Sequence, residues 1–307
     1  MKNKNTIRDI KLIVTQSDSL LNYLVKNTNY NQKQIKRFFL ENKIFVNDTL
    51  ANNINSLLHK DDLISINIDN KLIEQNKINK TNDIEVLYED EYLLVINKPN
   101  NLLTHKTKFN EDDTLQDFLN KKYNFLRDVE RSGITHRLDR DTTGILVIAK
   151  NNDVFNKIQK AFEENEVIRK YQAIVLNHFK GKYYEIDTMI GHSHNDSLKM
   201  TTSNPKNPKR AITLVKVLDR PSEKYSLVEC ELKTGRTHQI RVHMNYINHP
   251  ILNDPLYGSK LNNDEYNQYL HCTYVKFMHP VMFKNIEIVS KLPEQFLKKI
   301  EEIKNEK

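Results

Sequence analysis

Alternation of apolar and polar positions marks the strands of this chain, and three-and-four spacing marks its helices. Leu20, Leu21, Leu24 and Val25 share one helical face, with Asp18 and Ser19 as candidate N-caps. A second helix fits Asn31 to Lys43 and turns Ile35, Phe38 and Phe39 inward. Strands follow at Ile44–Val46 and Leu63–Ile68, where Ile64, Ile66 and Ile68 alternate with polar residues. Residues 70–82 (NKLIEQNKINKTN) bury no face at any period and read as a linker. Beyond them, Ile84–Leu87 and Tyr92–Ile96 are strand-like and open a larger unit. Its apolar runs are short and β-branched, with helices such as Asn151–Glu164 between them. This predicts a small module at 1–75 and an α+β domain around a mixed sheet at 81–307.

Composition adds a direction. Lys and Arg outnumber Asp and Glu 47 to 40, a net charge of +7. Residues 1–80 hold 13 basic and 8 acidic side chains, so most of the excess sits in one quarter of the chain. Lys33, Lys36 and Arg37 form a basic stripe on the second helix, separate from its apolar face. That pattern suits a polyanionic partner such as nucleic acid. The two cysteines, Cys230 and Cys272, exclude a disulfide framework and do not form a CxxC pair. The N-terminus lacks a long apolar signal segment, and the longest apolar runs, such as Ile145–Ala149, are strand-sized. A cytoplasmic protein with no membrane partner is expected.

The chain has only 6 glycines, so each is expected where the backbone needs one. Gly133 and Gly144 bracket GITHRLDRDTTG, which places Arg137, Asp139, Arg140 and Asp141 directly before a buried-looking strand at Ile145–Ala149. The Thr-Thr pair can hydrogen-bond the turn and fix its shape. A carboxylate flanked by arginines in a rigid turn is a candidate active-site element. Gly235 opens a second dense stretch, TGRTHQIRVHM, read as a turn into a helix with Ile240, Met244 and Ile247 inward and Arg241 directed elsewhere. His238 and His243 are five apart, about 140° around a helix and on opposite faces of a strand, which does not make a metal pair. No metal is expected.

HRLDRDTTG at 136–144 resembles the catalytic motif of the RluA-type pseudouridine synthases. Three further matches follow the family's order: INKPNNLLTH (96–105), RKYQA (169–173) and TGRTHQIRVH (234–243), the last trailed by HPILNDPLYG (249–258). The resemblance spans 81–307. Residues 12–68 resemble the S-four-like RNA-binding module that often precedes this domain. The implied fold is a mainly antiparallel mixed sheet with helices and a central cleft, preceded by a small α/β module. By the same resemblance Asp139 is the essential aspartate, and Arg137 is the arginine that enters the RNA as the target base leaves. Tyr171 packs on the flipped uracil and assists ring-proton removal. Arg241 pairs with the carboxylate, with Ile240 as an apolar wall beside it. Lys33, Lys36 and Arg37 are implied RNA-backbone contacts. Asn101 departs from the family's usual glycine in the KPxGL turn, which puts that turn's geometry in question.

Pseudouridine formation breaks the base–ribose bond and rejoins the ring through its fifth carbon. No atom is gained or lost, so no cofactor is expected. The uridine must leave its stack, at a cost of a few kcal/mol. The carboxylate must be ionised, which a bidentate arginine favours. Whether it attacks the sugar or removes a ribose proton stays open. A non-catalytic RNA-binding protein would not need the Asp139–Tyr171–Arg241 set, and a metal-dependent phosphodiesterase would need clustered ligands. The expected partner of this monomer is RNA, of the large ribosomal subunit in preference to transfer RNA.

Overall fold

The computed structural model describes residues 10–28, 30, 32–40, 43–67, 84–106, 114–196, 198–258 and 266–306, without the side chains at 33, 37 and 40. The expected linker at 70–82, Ile68 and the side chains of Lys33 and Arg37 lie outside this description. The chain divides into two units, Met1–Lys80 and Thr81–Lys307.

In the first unit, strands β1 (Ile10–Ile13), β2 (Ile44–Val46), β3 (Thr49–Leu50) and β4 (Leu63–Ile66) form a sheet in the order β1-β4-β2-β3, with every pairing antiparallel. Helices α1 (Leu20–Asn27) and α2 (Gln32–Leu40) contribute Leu20, Leu21, Leu24 and Ile35 to its core. Ser19 caps α1 by accepting from the Asn22 amide, while Asp18 pairs instead with Lys26 at 2.8 Å. Val25, expected inward, is exposed. Tyr23 is buried in its place because its hydroxyl donates to the Ile13 carbonyl at 2.9 Å. Lys36 is half-buried.

The second unit is built on a ten-stranded sheet. Its path runs β10 (Met200–Thr201), β9 (Tyr183–His192), β11 (Lys206–Ser222), β12 (Tyr225–Leu232), β8 (Ile168–Leu176), β13 (Leu270–Met278), β7 (Thr143–Ala149), β6 (Leu93–Lys98), β5 (Val86–Glu89), with β14 (Asn285–Val289) on β13. The strands expected at Ile84–Leu87 and Tyr92–Ile96 are β5 and β6, each displaced toward the C-terminus. Among the described strands only β13 and β7 run parallel, so the sheet is mixed and mainly antiparallel, in an α+β fold. Helices α3 (Leu115–Lys122), α4 (Asn152–Glu163), α5 (Gln239–Tyr246) and α6 (Glu294–Asn305) complete it. All seven residues of β7 are buried, which is why it reads as a continuous apolar run and not an alternating one. Among the described residues no helix is long and apolar enough to cross a membrane.

Candidate active site

The turn before β7 is held by the first of the sequence motifs. Lys98, at the end of β6, is fully buried, and its Nζ donates to the carbonyls of Pro99, Arg140 and Thr142 at 3.0, 2.9 and 2.9 Å. A buried ammonium needs acceptors, and these three carbonyls tie two segments together. Asn100 donates to the Asp141 carbonyl at 2.6 Å and Thr104 to the Leu138 carbonyl at 2.7 Å. Asn101 has φ +54°, a left-handed conformation that asparagine tolerates better than most residues. Its Oδ1 accepts from Arg140 Nε at 2.9 Å, so the turn forms without the glycine. At the other end Gly144 has φ +110°, and a Cβ there would lie 2.3 Å from the Cys272 carbonyl oxygen. Only glycine lets β7 approach β13 so closely.

This turn presents Asp139 to Arg241 on α5. Arg241 Nη1 donates to Asp139 Oδ2 at 2.9 Å. Its Nε and Nη2 donate to Asp254 Oδ2 and Oδ1 at 2.7 and 2.8 Å. The bidentate partner of Arg241 is therefore Asp254, and the bond to Asp139 is single, a correction to the expected arrangement. Asp254 Oδ1 also accepts the Leu256 and Tyr257 amides at 2.9 and 3.1 Å, so its carboxylate is itself fixed. The picture of α5 with one inward stripe is corrected too. Gln239 through Met244 are all buried, and Arg241 points into the protein because two carboxylates receive it there.

His238 starts α5 with φ +56° and places Nε2 3.9 Å from Asp139 Oδ2. The Met200 amide donates to the Tyr257 hydroxyl at 2.8 Å, and that hydroxyl lies 2.9 Å from His238 Nδ1. That contact orients the ring with Nε2 facing Asp139. Burial would raise the Asp139 pKa, but His238, Arg241 and Arg137 outweigh it and hold the carboxyl at about 2. Burial also pushes His238 down to about 4, so it is uncharged at neutral pH. There the two arginines keep Asp139 ionised.

Asp139, Arg137, Tyr171, Ile240 and Arg241 line one cavity of about 390 Å³, within the range of small-molecule sites. Arg137 is exposed, and Tyr171 on β8 is buried. Burial and the neighbouring Cys272 raise the Tyr171 pKa well above normal, so it is a neutral phenol. A neutral ring suits stacking on a base. Lys33, Lys36 and Arg37 belong to α2, in the other unit. Among the described residues no cluster of side chains could hold a metal ion. Sequence reasoning gave no role to Asp254, although HPILNDPLYG carries it, and none to His238, Tyr257 or Lys98.

The profile of the RNA pseudouridylate synthase family matches residues 92–246. This chain belongs to that family and is an RluA/RluD-type RNA pseudouridine synthase, an isomerase. An RNA pseudouridine synthase of Mycoplasma genitalium is 34% identical over 298 residues, 95% of this chain and 94% of the relative. The ribosomal large subunit pseudouridine synthase D of Vibrio cholerae is 30% identical, covering 88% of this chain and 86% of its own. Among solved structures, human RNA pseudouridylate synthase domain containing 1 is similar with a TM-score of 0.60 at 25% identity, over 73% of this chain and 88% of that one.

Proposed function

We propose that the chain isomerises specific uridines of 23S ribosomal RNA by an aspartate-dependent, base-flipping mechanism centred on Asp139. The observation that carries this reading is the chain Asp139–Arg241–Asp254, an ionised carboxylate fixed at the wall of a base-sized cavity. Oδ2 is held by Arg241, while Oδ1 has no protein partner among the described residues and is available to the ribose of a bound uridine. The flipped uracil packs on Tyr171, and exposed Arg137 fills the gap left in the RNA. The first unit is an S-four-like RNA grip that works through Lys33, Lys36 and Arg37. The enzyme acts as a cytoplasmic monomer.

The large-subunit target is supported by the names of relatives such as the Vibrio cholerae and Buchnera aphidicola enzymes, each a ribosomal large subunit pseudouridine synthase D. Pseudouridine mapping in ribosomal and transfer RNA from cells with and without the gene tests it. Loss of defined 23S sites is expected. Loss confined to transfer RNA would overturn the target.

A further inference from the structure

Among the described residues three cationic side chains are buried: Lys98, Arg169 and Arg241. Lys98 has three carbonyls and Arg241 has two carboxylates. Arg169 has neither. It is 7% exposed, its buried Nε has no hydrogen-bond partner, and no carboxylate of the described residues lies within ion-pair distance.

The site around it is built. The guanidinium lies over the Phe162 ring, its Cζ 5.0 Å from the centroid. Gly235 borders its Nη1–Nη2 edge, where a Cβ would come within 3.0 Å of Nη1 and 3.4 Å of Nη2. The ring braces the guanidinium on the wall of the catalytic cavity, which Arg169, Phe162 and Gly235 all line, and the absence of a Cβ at Gly235 leaves room at the Nη edge. A buried charge without a partner is costly, and a planar guanidinium matches the paired oxygens of a phosphate. A neutral uracil carbonyl would leave the charge uncompensated. Residues 169 and 171 alternate on β8 and share a face, roughly 6.6 Å apart along the strand. That spacing is on the scale of one nucleotide. Arg131, Arg137 and Arg236 also line the cavity, so its mouth favours a polyanion.

We propose that Arg169 is a phosphate-binding residue of the cavity, gripping the phosphodiester beside the uridine whose base lies on Tyr171. This rests on the pseudouridine synthase reading of the same cavity.

The test follows the Arg169 Nε–H resonance in arginine-labelled, full-length protein, assigned by its loss in Arg169→Lys. Uridine 5′-monophosphate should shift it saturably, and uridine at the same concentration should not. Equal shifts from both would overturn the proposal in favour of base recognition. Inorganic phosphate should need far higher concentration, and phosphate binding as tightly as the nucleotide would mean a free-anion site and overturn the assignment to RNA. Gly235→Ala, which crowds the guanidinium, should weaken the nucleotide with Arg169 still present. In RNA binding across a salt series, Arg169→Gln should flatten the slope of log affinity by about 0.7, as for one single-strand phosphate, and Arg169→Lys should restore it. An unchanged slope would overturn the proposal. The two readings fail separately. Nucleotide binding at Arg169 without pseudouridine formation sinks only the activity. Normal pseudouridine formation with a silent Nε–H signal sinks only the phosphate site.

Discussion

Replacing Asp254 by Asn tests whether Arg241 is positioned from behind. The substitution keeps the shape of a side chain that has no exposed surface. Oδ1 already accepts from Arg241 Nη2 and from the Leu256 and Tyr257 amides, so the Asn oxygen will stay on that side. Its amide nitrogen then replaces Oδ2, 2.7 Å from Arg241 Nε, and sets a donor against a donor. The loss of one charge-assisted bond, roughly 1.5–3 kcal/mol, adds to the penalty of an orphaned buried N–H, about 1–3 kcal/mol. A total of about 3–5 kcal/mol is expected, as for breaking a buried ion pair. Urea unfolding measures it. Asp187→Asn is the control, since its pair with Arg210 is exposed and its removal should leave stability essentially unchanged. Arg241 freed from its clamp no longer fixes Asp139, and a misplacement of about 1 Å can cost roughly 10²-fold in rate. Single-turnover release of tritium from RNA labelled at uridine C5 should fall by that order, with RNA affinity near wild type. Wild-type rate and wild-type stability together would refute the clamp.

Burial depresses His105, and it takes four further histidines lower still, His136 to about 3 and His238, His243 and His271 to about 4, from an ordinary 6.5. Each of these four is neutral when folded, so the unfolded chain binds more protons between pH 6.5 and 4 and stability falls as pH drops through that window. At pH 5 the loss is roughly 2 kcal/mol per histidine, about 8 in all, comparable to the whole stability of a typical domain. Circular dichroism should show unfolding well above pH 4, and a fold intact at pH 4 would contradict the burial of these rings. Asp139, held at about 2, should put no acid limb on single-turnover activity at any pH where the protein stays folded. Arg241→Met should cost far more single-turnover rate than Arg236→Met, because Arg236 is an exposed turn residue whose Nε meets only the Arg210 carbonyl; equal losses would mean the wrong arginine. Deleting residues 1–75 should leave isomerisation at saturating RNA but weaken binding, flattening its log–log salt slope by about 0.7–0.9 for each phosphate released from the grip. An unchanged slope would leave the grip without support.

Much of this architecture is legible because a helix with one wet face shows its period and a strand with none shows an unbroken apolar run. Leu20, Leu21 and Leu24 mark α1, and the uninterrupted run Ile145–Ala149 marks a strand buried on both faces. The helical period fails at α5, where Gln239 through Met244 are all buried and spacing no longer separates inside from outside. Period alone thus turns Arg241 away from the core it enters. Val25 and Tyr23 exchange places because a hydroxyl bond to the Ile13 carbonyl decides the matter, and period cannot see it. Asp254 lies 115 positions from Asp139, and no local pattern joins residues that meet only through the guanidinium of a third. Lys98 is equally hidden, since nothing in a lysine's neighbours announces that it will be buried on three carbonyls.

The role of Asp139 is tested most directly by Asp139→Asn. The side chain keeps its size, and its amide oxygen can take the place of Oδ2 and accept from Arg241 Nη1, so the variant should fold. It should bind ribosomal RNA like wild type and form no pseudouridine, read by tritium release and by mass spectrometry of the digested RNA. Turnover within about tenfold of wild type, a barrier change of only about 1.4 kcal/mol, would remove Asp139 from the chemistry.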